Sequence, residues 1–126
     1  MSNTTYNEKV LDHFKNPRNM GEMENPDAQG TKGNLSCGDV MKIALKVDNN
    51  RIEDIKFLTF GCAAAISTSS ALTEIVKGKT IEEAKKIGNK QIAEALGGLP
   101  KIKHHCAHLA EETLMEAIKD WEEKKK

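Results

Sequence analysis

Met41, Ile43, Leu45 and Val47 alternate with Lys42, Ala44 and Lys46, and after the residues DNNR a second β-rich run extends from Ile52 to Phe60. Alternation with a period of two puts one set of side chains on each face of a strand. Two such runs joined by a short Asn-rich break form a β-hairpin. A chain built on this hairpin has an apolar sheet face to cover, and the flanking segments read as the helices that cover it. The architecture predicted is therefore α+β: a small antiparallel sheet packed by helices, ending in a long C-terminal helix.

The helices carry their own boundary signals. Thr5 and Glu8 have capping-box spacing, Tyr6, Val10, Leu11 and Phe14 make an apolar face, and Asn16 before Pro17 stops a first helix that runs from Tyr6 to Lys15. Asn16 to Ser36 is rich in Asn, Gly and Pro and reads as a long irregular segment with a short edge strand near Thr31 to Leu35. After Gly61, Ala64 to Lys77 reads as a small-residue helix closed by Gly78. Thr80 with Glu83 starts another short helix, and a further one runs to Gly97 and Gly98. Leu109, Ala110, Thr113, Leu114, Ala117 and Trp121 then recur at helical spacing to the C-terminus.

At 126 residues the chain reads as one domain, 1–126, able to bury roughly two thirds of its unfolded surface without disulfide staples. Its 19 basic and 19 acidic residues cancel, which leaves no field for nucleic acid or an anionic membrane; the terminal EEKKK reads as a solvated helix end. MSNTTYNEKV lacks the regions of a secretory signal, and the uncharged run Leu58 to Thr73 is too short and too rich in Ser and Thr to span a bilayer. Three cysteines, an odd number, argue for reduced thiols and a cytoplasmic setting rather than a disulfide framework.

All three thiols fall at element ends: Cys37 just before the Met41 strand, Cys62 between the second strand and a helix, and Cys106 in the first turn of the last helix. Asp39 continues the core-facing parity of Met41 if Cys37 to Asp39 is extended. Cys106 shares a helical face with Leu109, Ala110 and Thr113, His105 flanks that stripe, and His104 and His108 fall on the polar face. A helix N-terminus lowers a thiol's pKa, so Cys62 and Cys106 are both positioned to be thiolates. Each residue also has a plainer role. A lone Cys is a small core hydrophobe, Asp39 a turn former, and His104 and His108 solvated. No Cys-x-x-Cys pair exists, and spacing alone leaves three thiols with Asp39 or His105 as a candidate four-ligand site.

The stretches NPRNMG (16 to 21), SCGDVMKIALKV (36 to 47), FGCAAAISTSS (60 to 70), VKGKTIEEA (76 to 84) and LPKIKHHCAHLAEE (99 to 112) resemble, in order, the iron-sulfur cluster scaffold family of the IscU and NifU N-terminal domain type. The resemblance implies a three-stranded antiparallel sheet packed by helices. It implies that Cys37, Cys62 and Cys106 hold iron in a transient [2Fe-2S] cluster, with Asp39 and His105 as exchanging or supporting ligands. It further implies a cysteine desulfurase as partner, delivering persulfide to Cys106, and acceptor apoproteins that take the finished cluster, with no turnover of the chain's own. Scaffolds served by an Hsp70 and its J-protein usually carry Leu-Pro-Pro-Val-Lys, where this chain reads Leu99-Pro100-Lys101-Ile102-Lys103. Gly-Ser often follows the second cysteine in the family, where this chain has Ala63 and Ala64.

Two other classes use the same residues. A zinc-dependent sulfur relay would place zinc on the same tetrahedral ligands, but such members typically carry an insertion before the third cysteine and lack the adjacent His. A cysteine-nucleophile hydrolase needs a base beside its thiol, and His105 points about 100° away from Cys106 within one helix.

Overall fold

The computed structural model describes residues 8–34, 39–59, 63–97 and 104–124. In chain order these form α1 (Glu8–Lys15), β1 (Ala28–Asn34), β2 (Asp39–Asp48), β3 (Arg51–Thr59), α2 (Ala63–Val76), α3 (Ile81–Lys85), α4 (Asn89–Ala95) and α5 (His104–Lys124). The sheet has three antiparallel strands in the order β1-β2-β3. The α+β architecture with a long last helix, read from the sequence, is the one observed.

β2 and β3 are the predicted hairpin. Asn49 and Asn50 take φ values of 52° and 63°, the left-handed pair of a two-residue turn whose twist matches that of the flanking strands. Lys46 pairs with Asp54 but Val47 with Ile52, so the register shifts by one residue at a bulge beside Glu53. The bulge lets Ile52 and Ile55 both reach the core despite their odd spacing, where they join Phe57 and, from β2, Met41, Ile43 and Leu45. Ala110, Leu114, Ala117 and Ile118 of α5 and Leu72 and Val76 of α2 close over this face.

The edge strand begins three residues earlier than the sequence suggested, at Ala28 rather than Thr31, and Leu35 lies outside the described residues. Its sequence, AQGTKGN, has no large apolar alternation because the residues beneath α5 must be small: Ala28 is fully buried, and Gly30 faces the α5 backbone. The irregular segment before it is not idle. Gly21 N–H donates to Phe57 O and Phe57 N–H to Asn19 O, both at 2.9 Å, which covers part of the outer edge of β3. At the other end Gly78 N–H donates to Ile52 O and Ile52 N–H to Lys79 O, both at 2.8 Å. Edge strands left unpaired invite aggregation, and these short segments protect this one.

α2 packs on α1 through polar atoms. Ser67, Ser70 and Thr73 have no solvent exposure, yet Ser67 Oγ donates to Val10 O at 2.7 Å and Thr73 Oγ1 to Ser70 O at 2.7 Å. Small side chains allow close approach, and hydrogen bonds remove the penalty of burying hydroxyls. α2 starts at Ala63 and ends at Val76, within a residue of expectation at each end, and Gly78 follows with φ 88°. The capping box of α3 forms as read: Glu83 N–H donates to Thr80 Oγ1 at 3.1 Å and Thr80 N–H to Glu83 Oε1 at 3.0 Å.

Candidate functional site

Three chain connections converge on one end of the sheet. β1 ends at Asn34 directly opposite Asp39, the first residue of β2. β3 ends at Thr59, which pairs with Met41 and donates its hydroxyl to Val40 O at 2.8 Å, so it finishes at the same end. α2 then runs back along the sheet, since Ser69 Oγ, midway along the helix, donates to Met41 Sδ at 3.1 Å and Gly78, beyond its end, bonds Ile52 at the far end.

The direction of α5 follows from three contacts with β1. Gln29 N–H donates to Asp120 Oδ2 at 3.0 Å, Gly30 faces Ala117, and Lys32 borders the same groove as His108 and Glu112. Rising numbers in β1 meet falling numbers in α5, so the two are antiparallel. Gln29 to Asn34 spans about 17 Å at strand rise, and Asp120 back to His104 about 24 Å at helical rise. The first turn of α5 therefore overhangs the end of the sheet where the other two connections leave it.

The sequence-predicted residues map onto this end. Cys37 and Cys62 lie outside the described residues, in the β1–β2 and β3–α2 connections. Asp39 opens β2, and His105 and Cys106 lie in the first turn of α5. Position 106 is in helical register with Ala110, Thr113 and Ala117, all buried. Among the described side chains no group of three or more His, Cys, Asp and Glu is arranged to hold a metal ion. α2 and α5 both begin here, and helix N-termini carry positive partial charge that favours thiolates and other anions. His108, with 58 % of its side chain exposed, stands 3.6 Å from both Glu111 and Glu112, on the solvated face the sequence assigned to it.

His13 was not singled out by the sequence. The expected apolar face of α1 included Leu11 and Phe14, but Phe14 is 41 % exposed while Val10 and His13 are buried. His13 Nδ1 lies 2.7 Å from Ser70 Oγ, which also accepts from Arg18 N–H at 2.8 Å, and its Nε2 lies 3.5 Å from Glu74 Oε1. Its spacing of three from Val10 was the available signal. Burial, and then the charge of Arg18, hold its pKa below 6.5, against the opposing pull of Glu74 and Asp12.

A depressed histidine pKa gives a definite pH dependence. Below 6.5 the unfolded chain takes up a proton that the folded chain still resists, so stability is complete above that pH and falls as pH drops towards the lower folded value. The slope from one such group is at most about 1.4 kcal/mol per pH unit. Thermal unfolding between pH 7.5 and 5, with the range set by His titration, should show this fall, and His13→Gln should flatten it. A variant as pH-sensitive as the parent would assign the effect elsewhere.

Two of the three cysteines fall in sequence within connections whose described ends lie at one end of the sheet, and the third falls in the first turn of α5. The chain belongs to the NifU-like N-terminal domain family, whose sequence profile matches residues 5–126. It is 63 % identical over 116 residues to "Iron-sulfur cluster assembly scaffold protein IscU 1" of Archaeoglobus fulgidus, an alignment covering 92 % of this chain and 76 % of that one. To "Iron-sulfur cluster assembly scaffold protein IscU" of Escherichia coli it is 49 % identical, over 95 % of this chain and 96 % of that one. The crystal structure of a NifU-like protein (N-terminal) from Brucella abortus shares the fold, with a TM-score of 0.75 at 22 % identity, covering 95 % of this chain and 96 % of that chain.

Proposed function

We propose that this chain is an iron-sulfur cluster assembly scaffold: a single domain, 1–126, that builds a transient [2Fe-2S] cluster as cargo and passes it to acceptor apoproteins. The observation that carries this reading is the convergence at one sheet end of the three connections flanking or bearing Cys37, Cys62 and Cys106, two of them opening helices. Relatives up to 63 % identical that bear the scaffold name support it.

The chemistry follows from ligand type. Iron in such clusters favours thiolates, and Cys37, Cys62 and Cys106 supply them, with the start of α5 helping Cys106 to ionise. A fourth position held by Asp39 or His105 is weaker than a thiolate, which suits a site that must release what it builds. A cysteine desulfurase presents sulfur as a persulfide. The Cys106 thiolate attacks the outer sulfur, the enzyme's thiolate leaves, and Cys106 carries the new persulfide; a two-electron donor then reduces that sulfur to sulfide as iron binds. The chain acts as acceptor and platform, without turnover of its own, in the reducing cytoplasm that free thiols require. Zinc takes the same ligand set in the absence of iron. Leu99 to Lys103, the segment that an Hsp70 and its J-protein would read, lies outside the described residues.

Anaerobic reconstitution with ferrous iron, cysteine and a desulfurase, followed by visible absorption and transfer to an apo-ferredoxin, tests the reading. A chain that accepts persulfide yet builds no chromophore would be a zinc-dependent sulfur relay instead. Within the scaffold reading, Asp39→Ala should keep its cluster several-fold longer in air and donate it more slowly, because the carboxylate that assists ligand exchange is gone. If Asp39 were only a turn or capping residue, the variant would lose about 0.5–2 kcal/mol of stability and hold its cluster no longer than wild type.

A further inference from the structure

Gly30 of β1 meets α5 more closely than any side chain would allow. A Cβ at this position would stand 2.5 Å from the Ala117 backbone nitrogen and 2.8 Å from the Glu116 carbonyl carbon and Cβ. Two of these three are helix backbone atoms, which no rotamer change can move aside. One residue earlier, Asp120 Oδ2 accepts the Gln29 N–H at 3.0 Å, and Lys124 Nζ lies 3.1 Å from the same oxygen. α5 is thus gripped by β1 at two points one helical turn apart.

The two gripped elements are those that lead to Cys37 and Cys106. β1 is fixed to β2 along its whole length, from Ala28 opposite Leu45 to Asn34 opposite Asp39, and Cys37 falls in sequence between those two strands. From Ala117 back to Cys106 is three helical turns, about 16 Å, and a packed helix carries a shift at one end to the other. Returning a Cβ at position 30 to ordinary contact, 3.4 Å or more, requires α5 to retreat by about 1 Å, whereas metal-ligand distances hold to about 0.2 Å.

We propose that Gly30, with the Gln29–Asp120 hydrogen bond, is a register clamp that sets the start of α5 against the β1–β2 connection, so that Gly30 is a positioning residue for the site of Cys37 and Cys106. The inference rests on the scaffold reading of those thiols. The absence of a side chain at position 30 does more than permit packing: it fixes how far apart β1 and α5 stand.

The test compares full-length Gly30→Ala with Ile52→Val, a core change at the far end of the sheet, after urea unfolding has established the stability of each. Zinc is the probe for the site, titrated against a chromophoric chelator. In a Cys62→Ser background, bridging of Cys37 to Cys106 by dibromobimane reports the spacing of the two thiols. Gly30→Ala should weaken zinc binding by about ten- to a hundredfold and slow bridging, while Ile52→Val leaves zinc binding within about twofold of wild type. Asp120→Ala removes the second grip without crowding and should weaken zinc binding by about two- to tenfold; it decides the matter should Gly30→Ala not fold. Zinc binding and bridging unchanged in Gly30→Ala, losses no larger than those of Ile52→Val, or, where only Asp120→Ala folds, an unchanged zinc affinity, each overturn the clamp. Neither readout needs a cluster, so failure of the reconstitution would sink the scaffold reading and leave this test standing.

Discussion

Cys106→Ser is expected to reduce sulfur loading from a cysteine desulfurase to background, while Cys37→Ser and Cys62→Ser each still accept sulfur but hold no cluster. The distinction comes from chemistry and position. A hydroxyl cannot carry a persulfide, and its pKa keeps it protonated where a thiol at a helix start ionises. Cys106 lies in the first turn of α5, which overhangs the end of the sheet, so of the three it opens a helix directly. Ser is nearly isosteric with Cys, and one exchanged atom at a helix start should leave urea unfolding within about 1 kcal/mol of wild type. Mass spectrometry of the sulfur-loaded chains is the measurement. A persulfide on Cys37 or Cys62 in wild type, with Cys106 unmodified, would move the acceptor role to that residue.

The hairpin and the last helix were legible because each carries its period openly. Met41, Ile43 and Leu45 alternate and are all buried, and Ala110, Leu114 and Ala117 follow the helical stripe. β1 was harder. What makes Ala28–Asn34 a strand is its pairing with β2, and the approach of α5 to Gly30 leaves Ala28 and Gly30 in place of large apolar residues on the covered face, a pattern that reads as loop. The α1–α2 interface was hidden for a related reason: Ser67, Ser70 and His13 count as polar by type, and only their cross-helix partners make them interior. The site stood differently. Spacing left its ligands undecided, since whole elements separate the thiols in sequence; the ordered set of short motifs pointed to the family, and the sheet topology supplies the physical reason that those connections meet.

The largest stability effect is expected from Phe57→Ala, and zinc should reverse much of it. Phe57 is 1 % exposed in the second half of β3, pairs with Ile43, and bonds Asn19 and Gly21 through its backbone. Removing a buried phenyl ring costs about 3–5 kcal/mol, against a total of about 5–15 kcal/mol for a domain, so the midpoint should fall by roughly 10–25 °C. The fold, in turn, is what brings the connections of Cys37, Cys62 and Cys106 together, because in the unfolded chain they are far apart. On the proposed reading of the site, zinc binding is tied to folding: free zinc at about 100 times Kd should add about 2.7 kcal/mol, and at about 1,000 times Kd about 4.1 kcal/mol. Thermal unfolding of Phe57→Ala with and without zinc should show most of the loss recovered. Phe57→Ala combined with Cys106→Ser should recover far less, because one ligand is missing from a site that otherwise forms. Equal recovery in the two chains would place the zinc on other groups, and the exposed His108 with Glu111 and Glu112 at 3.6 Å would be the first to replace.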